Sequence, residues 1–107
     1  MLPRTTLRSH FDTIRDLSFC ANNQLLASVS EDCMMKVWDA KAIKQANLIN
    51  NDDEGSNKIL DNIVPSYTFR GHTGPLFSVT SNTSNSLDDT FLYSAGSEGV
   101  IRIWKMP

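Results

Sequence analysis

The chain has 107 residues, of which 40% are hydrophobic and 21% charged, and its formal net charge is -2. This length fits one small domain, and a nearly neutral charge argues against nucleic-acid binding, which needs a clustered basic surface. No apolar run approaches the roughly 20 residues of a membrane helix, so we expect no membrane insertion. Residues 1–10 lack the apolar core of a signal peptide. Two cysteines are too few for a disulfide framework, so we expect free thiols and a reducing compartment, the cytoplasm or the nucleus, of which we favour a cytoplasmic location.

Seven short segments rich in β-branched, aromatic and aliphatic residues predict β-strands. In chain order they cover residues 14–19, 25–30, 33–38, 66–70, 75–80, 91–96 and 100–104. Turn-forming Asn, Asp, Gly and Ser residues stand between them. Only residues 40–49 have a pattern compatible with a helix. The sequence therefore predicts an all-β chain.

Two polar stretches, 40–65 and 81–90, are rich in Asn, Asp and Ser and are predicted to be solvated insertions. The carboxylates of residues 50–61 resemble a calcium loop only weakly, because the flanking helices and the final bidentate Glu are missing. The spacing of the two histidines and two cysteines fits no zinc site. We therefore expect no metal and no cofactor.

The chain also contains an internal repeat. Residues 26–38 align without gaps on residues 92–104, with Trp38 on Trp104, and His10 falls on His72. The two histidines are 62 residues apart, which exceeds the period of about 40–45 residues typical of four-stranded propeller repeats. The two polar insertions account for the surplus.

The pairs Ser9-His10 and Gly71-His72, each followed by a Trp-ended strand, resemble the WD-repeat family. Residues 6–19, 30–39, 66–79 and 103–107 are similar to the opening blades of striatin-type proteins, which are scaffolds that bring a phosphatase and kinases together. The resemblance implies a partial β-propeller of about two four-stranded antiparallel blades in an incomplete ring. It also implies a protein-interaction scaffold that supports signalling complexes.

On this interpretation residues 1–107 form one WD-repeat region. Residues 3–7 are the outer strand of a preceding blade, 8–70 form the first blade, and 71–107 form a second blade without its outer strand. Because propellers have about four to eight blades, we expect either a fragment of a longer propeller or a ring of three or four copies that contact each other head to tail. Partners are then peptide segments of other proteins, remaining blades or further copies.

The family resemblance implies a buried hydrogen-bonded network in each blade. Its members are His10, Ser28, Asp32 and Trp38 in the first copy, and His72, Ser94, Glu98 and Trp104 in the second. The residue types can satisfy each other, because Trp donates, Ser donates and accepts, and a carboxylate accepts. Glu98 is one methylene longer than the usual Asp, so we expect the second network to be looser.

The alternative for the first set is a Ser-His-Asp hydrolase triad. A catalytic Ser needs an exposed position on a strained turn, whereas Ser28 is predicted to lie within a strand, and the same set recurs in the second copy. We therefore expect a non-catalytic protein. The candidate protein-binding residues stand where the first strand of each copy begins: Phe11, Asp12, Arg15, Thr73 and Phe77. The alternative is a purely structural fragment, in which Phe11 packs under a loop and Arg15 is a solvated charge.

Overall fold

The structure, a computed structural model, describes residues 6–43, 64–82 and 89–106. It contains seven strands, which we number in chain order. They are β1 (Ile14–Cys20), β2 (Leu25–Ser30), β3 (Met34–Asp39), β4 (Tyr67–Arg70), β5 (Leu76–Ser81), β6 (Phe91–Gly96) and β7 (Ile101–Lys105). Each predicted strand is present and its ends lie within one residue of the prediction.

The strands form two antiparallel sheets. The first sheet has the order β1-β2-β3-β4 and the second has the order β5-β6-β7. The described residues do not close a ring. The prediction of an all-β partial propeller is therefore confirmed, with one four-stranded sheet and one three-stranded sheet.

Several predictions fall wholly or partly outside the described residues. These are the outer strand at 3–7, of which only residues 6 and 7 are described and lie in no strand, and the greater part of the insertions at 40–65 and 81–90. Residues 40–43 form one short helical segment, and the rest of the predicted 40–49 helix lies outside the described part. The domain boundaries thus stay predictions.

Tight turns with left-handed residues connect neighbouring strands. Between β1 and β2, Ala21, Asn22 and Asn23 have φ of 52°, 55° and 64°. Between β2 and β3 the turn uses Cys33 at φ 73°, and between β6 and β7 it uses Gly99 at φ 78°. The prediction that Cys33 begins the third strand is therefore wrong, because a left-handed residue does not fit the strand ladder.

The two sheets pack face to face through β1, β2 and β5. Side chains alternate between the two faces of a strand, and the face of the first sheet that meets the second sheet is apolar. Its central members, Ala27, Val29, Met35 and Val37, have no exposed surface. The second sheet contributes Leu76, Val79 and Leu92, which are also buried. Both sheets thus share one hydrophobic core.

Asp16 joins the two sheets at their inner strands. Each of β1 and β5 has a register shift near its start, between Ile14 and Asp16 and between Leu76 and Ser78. The Asp16 carboxylate accepts hydrogen bonds from its neighbour Leu17 N at 2.9 Å and from Val79 N in the other sheet at 3.0 Å. One side chain therefore satisfies the irregular backbone of both strands.

Candidate functional site

The first network lies at the end of the first sheet where β1 begins. His10 Nδ1 lies 2.8 Å from Asp32 Oδ2, and His10 Nε2 lies 2.7 Å from Ser28 Oγ. Trp38 Nε1 donates to the same Ser28 hydroxyl at 3.0 Å. The His10 and Asp32 side chains are 2% and 5% exposed, so the structure brings all four predicted residues together in a buried site.

The donors and acceptors in this network fit one arrangement. A carboxylate only accepts, so Nδ1 of His10 donates to Asp32, and with the ring in this tautomer Nε2 accepts the Ser28 hydroxyl. The Ser28 oxygen in turn accepts the Trp38 indole N–H. Each polar side-chain atom of this network therefore has a partner, which offsets the cost of burying it.

Asp32 also closes its own turn. Its Oδ2 accepts the Phe11 amide at 3.0 Å and its Oδ1 accepts the Met34 amide at 2.9 Å. Burial raises the pKa of this carboxyl, but the hydrogen bonds from His10, Phe11 and Met34 outweigh that effect and leave the pKa below its ordinary value. Asp32 is thus held as a carboxylate.

The second network has the same geometry around a different acid. His72 Nδ1 donates to Glu98 Oε1, its Nε2 lies 2.7 Å from Ser94 Oγ, and Trp104 Nε1 donates to that hydroxyl at 2.8 Å. The two bonds to Ser94 are as short as those to Ser28, and the expectation of a looser second network stays a prediction. The longer Glu98 side chain reaches its histidine without lengthening the other bonds.

The surroundings of Glu98 differ from those of Asp32. Glu98 is 14% exposed, and its Oε2 accepts the Thr73 hydroxyl at 2.9 Å. The hydrogen bond from the Thr73 backbone is the main cause that lowers the pKa of Glu98. Desolvation opposes this effect and the His72 and Thr73 side chains add to it, so that the pKa falls to about 2. Glu98 therefore holds the loop that precedes β5, whereas Asp32 holds both a loop and its own turn.

The Ser28, His10 and Asp32 contacts have the connectivity of a hydrolase triad, but Ser28 lacks the setting of a nucleophile. It lies within β2, is 2% exposed, and its oxygen already accepts the Trp38 indole. A nucleophilic Ser must instead present its oxygen at an exposed turn. The equal network at Ser94 shows that this contact pattern recurs wherever the repeat places these residue types.

The predicted protein-binding residues lie along one edge of the two sheets, where β1 and β5 begin. Phe11 is 87% exposed and Phe77 is 47% exposed. The Arg15 guanidinium donates to Glu31 at 2.8 Å and lies 5.7 Å from the centre of the Phe77 ring. We call Phe11, Arg15 and Phe77 the loop edge.

The other two predicted binding residues take part in internal contacts. Asp12 Oδ1 accepts the Thr13 amide at 2.8 Å, and the Asp12 carbonyl accepts the Ser30 hydroxyl. The Thr73 hydroxyl donates to Glu98. Sequence reasoning missed the Thr73–Glu98 bond. A usable signal was present, because the acid of the second network is the longer Glu and the histidine of that network is followed directly by a hydroxyl residue. Sequence reasoning also missed Asp16, for which no local signal exists, because its partner Val79 is 63 residues away.

Among the described residues, no group of three or more His, Cys, Asp or Glu side chains is placed to hold a metal ion. The same residues contain no helix with the length and apolar character that a bilayer crossing requires. Both cysteines are free thiols. Cys20 packs in the hydrophobic core, and this burial raises the pKa of its thiol.

Comparison with curated proteins finds striatins over nearly the whole chain. Striatin-4 of Mus musculus is 34% identical over 105 residues, which is 98% of this chain and 12% of that protein. The Striatin homolog of Dictyostelium discoideum is 36% identical over 104 residues, or 95% of this chain. Striatin of Homo sapiens is 35% identical over 102 residues. The chain thus spans about an eighth of the length of these relatives.

The family model described as WD domain, G-beta repeat matches residues 1–39 and 63–105. These two ranges contain both hydrogen-bonded networks and all seven strands, and they omit most of the first polar insertion. The match agrees with the alternating strands, the paired networks and the two sheets described above. The chain therefore belongs to the WD domain, G-beta repeat family.

Proposed function

We propose that the chain is a non-catalytic scaffold module that binds peptide segments of other proteins at the loop edge. The observation that carries the proposal is a guanidinium fixed between Glu31 and the Phe77 ring, with the exposed Phe11 on the same edge. Aromatic residues and Arg are the usual anchors of protein interfaces. The ion pair and ring contact orient Arg15 in advance, so less side-chain entropy is lost on binding.

Asp12 and Thr73 belong to this proposal as supports of the loops and not as contact groups. Asp12 fixes the backbone just after Phe11, and Thr73 fixes the loop ahead of Phe77 through Glu98. The two hydrogen-bonded networks keep the same loops against the sheets. The proposed binding residues thus rest on a rigid base.

The striatin relatives extend the proposal to its cellular context. We infer from them a cytoplasmic scaffold that supports assembly of signalling complexes containing a phosphatase and kinases. Partners include other blades of the same type, and a ring of three or four copies is one arrangement of them. The rival function is a Ser-His-Asp hydrolase. A fluorophosphonate probe, which reacts with nucleophilic serines, tests this function. Labelling of Ser28 in the folded protein would support the hydrolase and contradict the proposal of a non-catalytic scaffold.

The experiment is affinity capture from cell extract, with quantitative mass spectrometry of the bound proteins. A Phe11→Ala/Arg15→Ala double variant is compared with Phe19→Ala/Lys105→Ala, which removes the same kinds of exposed side chain from the opposite edge. We expect the loop-edge variant to lose a defined set of proteins by about tenfold or more, as loss of an interface anchor predicts. Equal capture by both variants would contradict the proposed site.

A further inference from the structure

Arg15 and Phe77 leave their sheets at the same point of the repeat; we call them the anchor pair. The register shift of β1 leaves Arg15 without a partner in β2, and that of β5 leaves Phe77 without a partner in β6. Each stands at the same distance along the chain from the histidine of its network. A bulge bends its strand and re-aims the extra side chain. The two re-aimed side chains meet, with the guanidinium 5.7 Å from the ring centre.

Asp16 lies next to both members of the anchor pair. It directly follows Arg15 in the chain, and one of its oxygens accepts the amide of the next residue in β1 at 2.9 Å. Its other oxygen accepts the Val79 amide at 3.0 Å and the Ser78 hydroxyl at 3.4 Å. Ser78 directly follows Phe77. One carboxylate therefore ties the two bulged strands together beside the two side chains that they present.

The described residues link β1 to β5 by side-chain hydrogen bonds at two places. The first is the Asp16 carboxylate beside the anchor pair. The second is the Ser81 hydroxyl, which donates to the Phe19 carbonyl at 3.3 Å near the other ends of the two strands. Hydrogen bonds to an ionised acceptor are short and strong, so a carboxylate held at both oxygens fixes the spacing of the strands at the loop edge.

The carboxylate is not needed to form a bulge. The repeat places Ser78 in β5 where β1 has Asp16, and β5 forms the equivalent register shift with a hydroxyl side chain at that position. The feature that distinguishes Asp16 from its counterpart is therefore its link to the other strand. This separates a role in spacing the two strands from a role in folding either one.

We infer that Asp16 is a positioning residue of the loop edge: by tying β1 to β5 it holds Arg15 over Phe77, so that the pair acts as one unit on a partner peptide. The inference rests on the proposed function. The ion pair with Glu31 keeps Arg15 on its own sheet and does not set its distance to the second sheet. A cation over an exposed ring is a weak contact by itself, so the strands that carry the pair must set its geometry.

The first measurement follows the contact by NMR in the free 107-residue chain. The Phe77 ring current shifts the Arg15 side-chain signals, and Phe77→Leu gives their positions without a ring. We expect Asp16→Asn to lose at least about half of this shift, because an amide presents an N–H group to one of the two backbone donors that the carboxylate accepts. Ser81→Ala is the matched control. It removes the other link between the same strands and should leave the shift unchanged.

The second measurement asks whether binding uses the fixed pair. Affinity capture from cell extract at a series of bait concentrations gives a half-saturation point for each protein that the loop-edge variant loses. Arg15→Ala and Phe77→Ala should each weaken capture about tenfold, and the double variant at most about threefold further, because contacting residues are not additive. With Asp16→Asn present, the double variant should lose the product of the two single losses. Reduced stability alone would lower the amount of folded bait and leave this coupling unchanged.

The outcomes separate the inference from the proposed function. An unchanged ring-current shift in folded Asp16→Asn would overturn the inference, and so would a lost shift with the same coupling in capture. If circular dichroism shows that Asp16→Asn does not fold, Asp16→Ser takes its place, since β5 has serine at the equivalent position. Arg15→Ala and Phe77→Ala baits that capture every protein as the wild type does would contradict the proposed function, and the ring-current shift would still decide whether Asp16 positions the pair.

Discussion

Each of the two hydrogen-bonded networks contains a histidine, a serine and a tryptophan, but the acid is Asp32 in the first and Glu98 in the second. Asp32 is short, lies 5% exposed, and bonds its own turn at Met34 as well as the loop at Phe11. Glu98 is longer, more exposed, and bonds the loop residue Thr73. The histidine-to-serine distance is 2.7 Å in both networks. The acid can therefore change from Asp to Glu without altering the histidine-to-serine contact.

The largest test of this equivalence removes the central hydroxyl from each network. Ser28→Ala leaves the buried Trp38 indole N–H and a buried imidazole nitrogen without a partner, and Ser94→Ala does the same to the part-buried Trp104 indole and the buried His72 ring. We expect each to lower the free energy of unfolding by about 2–3 kcal/mol. Urea unfolding at one fixed protein concentration measures the loss, and the exposed Ser66→Ala serves as the control with an effect near zero.

The double variant sharpens the same comparison. The two networks share no hydrogen-bonded residue, so the effects of Ser28→Ala and Ser94→Ala should add within about 0.5 kcal/mol. A clearly smaller loss for either single variant would mean that its network contributes less than its geometry indicates. A large deviation from additivity would mean that the two networks are coupled through the shared core.

The next test uses the ionisation of the two acids. In the folded protein the pKa of Glu98 falls from 4.5 to about 2, so between these values the unfolded chain binds more protons than the folded one. The free energy of unfolding then falls as pH drops through this window and is unaffected by Glu98 above it. Asp32 contributes in the same direction, with its loss starting near its ordinary value of 3.8.

Glu98→Gln should remove the fall in unfolding free energy that begins as the pH drops below about 4.5. Asp32→Asn should remove the fall that begins below about 3.8. Urea unfolding at a series of pH values from 2 to 6 measures both. If the Glu98→Gln protein loses stability between pH 4.5 and 2 as steeply as the wild type, the hydrogen bonds to Glu98 do not hold its charge.

The sequence predicts the strands well because their signals are local. Alternation and turn residues placed all seven strands within one residue, and the repeat assigned every member of the two networks through the family resemblance. What it could not supply were contacts between distant segments. The Asp16 bridge to Val79 and the position of Arg15 over Phe77 depend on how the two sheets meet. The left-handed Cys33 was also missed, since cysteine has no preference for such a turn position.

The smallest expected effect comes from that turn position, which the two repeats fill differently. Cys33 has φ 73° and Gly99 has φ 78°, and each directly follows the network acid. A left-handed backbone costs a residue with a Cβ about 1–2 kcal/mol, whereas glycine adopts it freely. The first turn is therefore strained where the second is not, although a carboxylate residue precedes the left-handed position in both turns.

Exchanging the two residue types tests whether backbone strain alone separates the turns. Gly99→Ala should destabilise the protein by about 1 kcal/mol, and no atom lies within 4 Å of the added Cβ, so crowding by neighbours contributes nothing. Cys33→Gly should stabilise it by less than about 1 kcal/mol, because glycine loses more entropy on folding and the weak contact of Cys33 Sγ with the Glu31 carbonyl at 3.8 Å disappears. The midpoint of thermal unfolding should therefore fall in Gly99→Ala and rise in Cys33→Gly. A fall in both variants would show that the Cys33 side chain stabilises the protein by more than its left-handed backbone destabilises it.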